Sequence, residues 1–513
     1  MAVTITASLG CALLSLCAWI IYLNSKSPRN LRLPPGPKGL PLVGNIFQIN
    51  PNQLWNALVK WEKEYGAIVH FRLFNQNIIV LNSGQVAGDI LDRRAANYSQ
   101  RPRMPAVEYL TGGLSIITMD HGDKWRLMRR AAHETLNARA STLYHPVQMR
   151  KGIQFAMDIL NSPEKWHEHT YQFTSSQAAS ILYGEKSNSH AIIRDLSALV
   201  DDLSEAGSPG KYLANHISIL EHVPDFLARW KQEMGAKHNM YTARLLRYFL
   251  TIKEAMLQRQ DPGPSFCNML VETHEDHGLD DLGSAWLAAM LYLAGYETAA
   301  TALVWLIVAM IAFPEAQHKA QEELDTVVGR GRIPTLQDME NLPYMRAVVK
   351  EVLRWRPPGP MGVFHASLED DIYEGYYIPK GSWVITNILS MNHDTATYGP
   401  DPDIFRPERF MKEDGTHKAS PPDTKDIGHY SFGFGRRICP GRYLALNTLL
   451  TFSIVLWATR LEPGTDANGR RVPPSTCDEG SGYLSRPPAC KVSSRPRFPG
   501  AQDILKMAKE EWI

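Results

Sequence analysis

Phe432-Gly433-Phe434-Gly435-Arg436-Arg437-Ile438-Cys439-Pro440-Gly441 is the stretch that decides how this chain is read. The decapeptide fits the pattern F-x-x-G-x-R-x-C-x-G and runs into a helical stretch, Arg442 to Trp457. A helix N-terminus and exposed loop amides favour negative sulfur, so Cys439 is placed to act as a thiolate. The surrounding glycines let a flat cofactor approach the backbone. Burial as a small apolar residue, the usual fate of a lone cysteine, explains neither those glycines nor Arg437.

Upstream, Ala285 to Phe313 is a 29-residue run whose single charged member is Glu297. Hydropathy alone permits a transmembrane helix here, but an acid at mid-span would be costly there. The charged residues Glu315, Lys319, Glu322, Glu323 and Asp325 follow Pro314, as in a soluble domain that continues. A helix buried through the middle of a globular body, apolar on all sides because it is covered on all sides, is the competing reading. Within the run lies Ala294-Gly295-Tyr296-Glu297-Thr298, an acid beside a hydroxyl in an otherwise apolar helix. Thr298 can back-bond to a helical carbonyl, whereas a buried Glu297 with no task would be expensive.

Three further pieces complete the pattern. Glu351-Val352-Leu353-Arg354 holds an i, i+3 ion pair, common on solvated faces and weak alone. Phe405-Arg406-Pro407-Glu408-Arg409-Phe410 lies downstream of it, and Trp125-Arg126-Leu127-Met128-Arg129 lies far upstream. Together with the cysteine loop, these segments resemble, in order and over essentially the whole chain, the motifs of the cytochrome P450 family. The resemblance settles the apolar run as a buried helix. It implies a mainly α fold with minor β-sheets, the cytochrome P450 fold, preceded by one transmembrane helix.

The same resemblance implies a set of roles. Cys439 is the axial ligand of haem b (iron protoporphyrin IX). Trp125, Arg129, Arg437 and His365 serve the haem propionates, and Phe432, Gly435 and Gly441 shape the loop against the cofactor. Glu297 and Thr298 relay protons to dioxygen, O2 being the co-substrate; many relatives carry a second hydroxyl where this chain has Ala299. Arg409 joins Glu351 and Arg354 in a purely architectural cluster. The substrate walls come from segments holding Met290, Leu291, Ala294, Met361, Val363, Phe364 and Tyr483. Their apolar character implies a hydrophobic small molecule, terpenoid- or polyketide-like, and the style of the chain resembles fungal biosynthetic members. Haem-thiolate isomerases, which need no reductase, usually lose the acid–alcohol pair that is retained here. No nucleotide-binding glycine fingerprint occurs in a strand-to-helix context, so electrons are expected from a separate NADPH-cytochrome P450 reductase. Arg130, Arg436 and Arg442 are candidates for its docking face.

Composition and termini set the remaining expectations. With 44% hydrophobic and 21% charged residues in 513, the chain has the make-up of an ordinary globular protein. Lys plus Arg (54) and Asp plus Glu (53) balance to +1, which implies no nucleic-acid partner. Six cysteines, Cys11, Cys17, Cys267, Cys439, Cys477 and Cys490, form no CxxC, so neither a zinc cluster nor a dense disulfide framework is signalled. Ala2 to Leu23 carries no charge and as a helix would span about 33 Å. Lys26, Arg29 and Arg32 follow it, the order of a retained signal anchor with its body in the cytosol. The expected organisation is a transmembrane anchor over 1–24 and a basic, proline-rich linker over 25–45 that holds the body off the membrane lipid. A haem-binding monooxygenase domain over 46–513 follows, on the cytosolic side of the endoplasmic reticulum as a single-pass protein.

Overall fold

The computed structural model describes residues 31–512 apart from 186–189, 209–210, 216–217, 261–262 and 481. The expected anchor, Ala2 to Leu23, lies outside the described residues. Within the expected linker over 25–45, the described residues from Leu31 onward lie against the body. Main-chain bonds from Tyr377 N to Arg32 O (2.8 Å), His70 N to Pro35 O (2.9 Å) and Phe74 N to Val43 O (3.1 Å) fasten them along the sheet. Prolines cannot donate, but their carbonyls accept, and the backbone there follows the strands as an added edge.

The longer helices are α1 (Leu54–Tyr65), α2 (Asp123–Leu136), α3 (His145–Asn161), α4 (Trp166–Tyr183), α5 (His190–Gly207) and α6 (Arg229–Leu257). They continue with α7 (Asp281–Ala312), α8 (Pro314–Val327), α9 (Pro343–Trp355), α10 (Arg442–Leu450), α11 (Phe452–Ala458) and α12 (Ala501–Glu511). Arg442 to Trp457, expected as one helix, is divided at Thr451. Its hydroxyl donates to Thr448 O (2.7 Å), a back-bond of the kind that bends helices.

The main sheet runs β1 (Ile68–Leu73), β2 (Gln76–Leu81), β6 (Trp383–Thr386), β3 (His365–Ala366) in spatial order, with β2 and β6 parallel and the other pairs antiparallel. Its first turn sits at Phe74-Asn75. Gln76 pairs with Leu73, and Phe74 takes φ +50° as a two-residue hairpin demands. A separate hairpin pairs β4 (Asp371–Tyr373) with β5 (Tyr376–Ile378). Glu374 and Gly375 turn the chain with φ of +49° and +80°, and that left-handed pair outweighs the apolar alternation around it. A last pair, β7 (Thr459–Pro463) and β8 (Val492–Pro496), closes the C-terminal part.

Helix α7 organises everything else. Its start is fixed by Asp280, whose carboxylate accepts from Gly283 N (2.7 Å), and Pro314 bars its continuation. It is the one helix among the described residues apolar and long enough to cross a membrane, yet most of its apolar stretch is buried in protein. It packs most extensively along α4 and also meets α6, α9 and α10. Its first half, Ala285 to Tyr292, belongs to one core cluster with Trp286 fully buried. Its last half, Ala302 to Ile311, belongs to another, in which Trp305 meets Trp355 edge-on at 5.6 Å. Between the two halves burial lapses: Gly295 and Thr298 are exposed, and Ala294 and Glu297 are half-buried.

Candidate active site

The lapse in burial falls on Ala294-Gly295-Tyr296-Glu297-Thr298, and α7 also contacts α10, the helix that the cysteine loop opens. Thr298 Oγ1 donates to Ala294 O (2.6 Å), so the hydroxyl is anchored one turn back while its lone pairs stay free. A side chain at Gly295 would meet nothing within 4 Å, so the protein's own packing does not require glycine there. Glu297 faces Arg486 at 3.8 Å. Burial raises its pKa, Asp201 adds to the rise, and Arg486 opposes both.

In the loop, Cys439 N donates to Phe432 O (2.9 Å), closing the turn that presents the sulfur. Burial raises the thiol's pKa against the pull of the Gly441 amide, Arg129 and Arg442. The helix terminus alone therefore does not make the thiolate. The three glycines differ in their reasons. Gly435, at φ +59°, has Leu91 O only 2.1 Å from where a Cβ would stand, and its amide donates to Asp92 Oδ1 (2.5 Å). Close backbone approach explains it without any cofactor. Gly433 and Gly441, by contrast, border open space. Phe432 is half-buried with its ring 5.5 Å from His429.

Around the loop gathers a group of cations. Arg437 stacks on Trp125 at 4.3 Å and donates to Ser99 O, Ile116 O and Met119 O at 2.9, 3.3 and 2.7 Å. Arg129 donates to Ile438 O (2.5 Å), bringing α2 against the residue before the cysteine. His365 Nδ1 donates to Tyr98 O (2.8 Å), which leaves its Nε2 with the lone pair. A residue that sequence reasoning missed completes the set. Arg101 is 8% exposed and donates to Ile117 O (3.0 Å), Val363 O (2.8 Å) and Phe364 O (2.7 Å). Burial and Arg437 drive its pKa well down; His365 is driven down by burial, Arg101 and Arg437. Carbonyl dipoles satisfy these donors; among the described residues Asp120, bonded to Arg101 N (3.2 Å), is the carboxylate felt by Arg437, and Arg129 feels the Cys439 sulfur.

The walls are less uniform. Met290 and Met361 are packed in core clusters (1% and 3% exposed), whereas Leu291, Ala294 and Phe364 are half-buried. Val363 and Tyr483 are exposed, and Tyr483 lies edge-on to Phe364 at 6.0 Å. Behind the site, Glu351 is fully buried. It accepts Arg354 Nε (2.7 Å) and Nη2 (2.9 Å), Arg409 Nε (3.0 Å) and Arg406 N (2.8 Å). Arg354 then reaches Asn392 O and Pro402 O (2.9 and 2.8 Å), tying three distant segments together. Cys267, Cys439, Cys477 and Cys490 are free thiols. Of the outer arginines, Arg436 is exposed, Arg442 stacks on Tyr443 at 4.5 Å, and Arg130 reaches Asp276 O at 3.2 Å.

This arrangement fits a planar dicarboxylate cofactor: a cysteine loop with two open glycines, a cationic cluster beside it, and a less covered stretch of α7. Comparison with known proteins agrees. The cytochrome P450 family model matches residues 34–467. A cytochrome P450 monooxygenase of Armillaria gallica is 39% identical over 93% of this chain and 92% of its own length. Cytochrome P450 monooxygenase 58 of Postia placenta is 39% identical over 94% and 93%, and monooxygenase iboC of Amanita muscaria 33% over 96% and 95%. The chain belongs to the cytochrome P450 family, oxidoreductases that use a thiolate-bound haem and dioxygen as monooxygenases.

Proposed function

We propose that this protein inserts one atom of dioxygen into a hydrophobic small molecule, a terpenoid- or polyketide-like secondary metabolite, with electrons relayed from NADPH by a P450 reductase. The observation that carries the reading is the cluster of Arg101, Arg129, Arg437 and His365 beside the cysteine loop, in which Asp120 is the one carboxylate among the described residues. The two propionates of haem b supply what that cluster lacks, and guanidinium groups match carboxylate geometry. Trp125 supports the cluster from beneath Arg437.

When bound through Cys439, the haem iron supplies dioxygen activation, and the thiolate's electron push favours O–O cleavage. The Gly441 amide, Arg129 and Arg442 would support the negative charge of Cys439 as the ligand, against the effect of burial. Phe432 and Gly441 shape the loop; Gly435 serves the same end indirectly, through its contact with Leu91. Glu297, whose pKa burial raises against the pull of Arg486, and Thr298, whose hydroxyl is held by Ala294 O, together form the proton path. Leu291, Ala294, Val363, Phe364 and Tyr483 position an apolar substrate, with Met290 and Met361 packed behind them. Glu351, Arg354 and Arg409 hold the architecture and take no part in the chemistry.

Residues 1–24 anchor the protein in the endoplasmic reticulum membrane. Residues 25–45 connect the anchor to the 46–513 body, their second half docked on the sheet. The body faces the cytosol, where Arg130, Arg436 and Arg442 meet the reductase. Three measurements test this reading. The reduced protein under carbon monoxide is expected to show the red-shifted thiolate Soret band, and Cys439→Ala to lose it. Reductase and NADPH are expected to support oxygenation of members of an apolar compound library. A band that survives Cys439→Ala sinks the ligand assignment; a normal band with no turnover sinks the proposed activity.

A further inference from the structure

A cleft of about 350 Å3 beside α9 collects cations to which the proposed oxygenation assigns no role. Pro343, Arg346 and Lys350 of α9 form one wall, Gly415, Thr416 and His417 the other, and exposed Glu340 stands at the rim. Arg346 and Lys350 are four residues apart, so they share one face of the helix and repel each other there. Among the described residues, neither side chain has a hydrogen bond or an ion pair, and Arg346 Nε is buried without an acceptor. His417 Nε2 donates to Pro343 O (3.1 Å), so in the neutral ring Nδ1 bears the lone pair, and it too is buried without a partner.

Nearby acids answer these groups only in part. Glu323 is felt by Arg346, but its two oxygens accept the amides of Tyr344 and Met345 at 2.7 and 2.8 Å and make no ion pair with the guanidinium. Asp426 is felt by Lys350 but makes no ion pair with it. The opposite wall is also held in place. Thr416 gives both its amide (2.8 Å) and its hydroxyl (2.6 Å) to Asp414 Oδ1, and Lys412 N donates to Thr416 O (2.7 Å). Two like charges and an unanswered buried guanidinium N–H, on walls held by other bonds, are an unfavourable arrangement unless an anion sits between them.

We propose that this cleft binds a small phosphate-type oxyanion, either inorganic phosphate or the phosphoryl group of a small metabolite. Arg346 and Lys350 carry the charge, and His417 becomes a third donor when Nδ1 is protonated. Burial, then Lys350 and Arg346, pushes His417 down to about 4. A bound anion offsets both of those cations, so binding draws a proton onto the ring and tightens as pH falls.

The test is calorimetric titration of the full-length haem-loaded protein with inorganic phosphate and with glycerol phosphate, against chloride at equal ionic strength. Saturable one-to-one binding is expected, weakened about tenfold or more in the Arg346→Gln, Lys350→Gln double variant. An unchanged carbon monoxide spectrum shows that the variant is folded. Tighter binding of glycerol phosphate than of phosphate marks a metabolite as ligand, and equal binding marks the free ion. Sulfate, whose own charge is constant, is expected to bind more tightly at about pH 5 than at about pH 7, and His417→Gln to lose that dependence. Absence of saturable binding, or a double variant that binds as well as the parent, overturns the proposal; a sulfate affinity indifferent to pH removes His417 from it.

Discussion

The hydroxyl of Thr298 and the guanidinium of Arg101 lie at opposite limits of what a sequence discloses. Thr298 stands in a motif, and its bond to Ala294 O leaves lone pairs available for proton transfer. Thr298→Ala is expected to keep the Soret spectrum but lower product formed per NADPH about tenfold or more, measured as oxygen consumed against product. Unchanged coupling removes the hydroxyl from the relay. Arg101 stands in a loop with no periodicity and no motif, and only the folded chain brings it beside Arg437 and His365. Arg101→Gln removes a charged donor expected to contribute about 1.5–3 kcal/mol to holding the propionates. Haem loss to an apo-globin trap should therefore quicken roughly ten- to hundredfold. A rate equal to the parent's would restrict Arg101 to its carbonyl contacts. Gly435 was legible as a loop glycine, but its reason, the carbonyl of Leu91 at 2.1 Å from a Cβ, depends on a segment more than three hundred residues away.

At the scale of elements, helices are easier to read than turns. The runs that give α2, α5, α6 and α8 have long apolar periods, so an error of a few residues at their ends leaves them intact. The turns at Phe74 and at Glu374-Gly375 depend on one or two residues accepting positive φ, and neither Phe nor Glu advertises that. Pairs between elements are intermediate. Glu351 and Arg354 are adjacent on α9, but their burial depends on Arg409, Asn392 and Pro402 arriving from elsewhere. Glu351→Gln leaves two buried guanidinium groups without their carboxylate and is expected to cost about 3–5 kcal/mol in urea denaturation. A loss under about 1 kcal/mol would mean that the carbonyls alone satisfy the arginines.

Over the whole molecule, the buried histidines set a pH limit. Burial, reinforced by neighbouring Arg and Lys residues, pushes His393 and His429 each down to about 3. Their unfolded value is near the ordinary one, about 6.5, so the unfolded chain binds more protons between these limits. Stability is therefore present in full above about pH 6.5 and falls as pH drops toward 3, by up to about 1.4 kcal/mol per pH unit for each ring. Urea midpoints of the haem-loaded protein between about pH 7 and pH 5 are expected to decline accordingly, and His429→Gln to flatten the decline by about one proton. An unaltered slope would show that His429 charges without unfolding. Such long-range burial is invisible in sequence, where His429 is simply a residue before the cysteine loop.

The divided burial of α7 has a consequence for how this architecture diversifies. Core packing holds the helix at both ends, through Trp286 and its neighbours and through Trp305 and its neighbours. Leu291, Ala294, Gly295 and Thr298 lie at successive turns on the less covered face between those ends. Substitution along that stripe alters a face outside the two anchoring clusters, which keep their contacts; on the proposed function it is the surface a substrate meets. Inherited variation can thus accumulate there at little cost to folding, and descendants of one gene can acquire new preferences by changing a few codons in mid-helix.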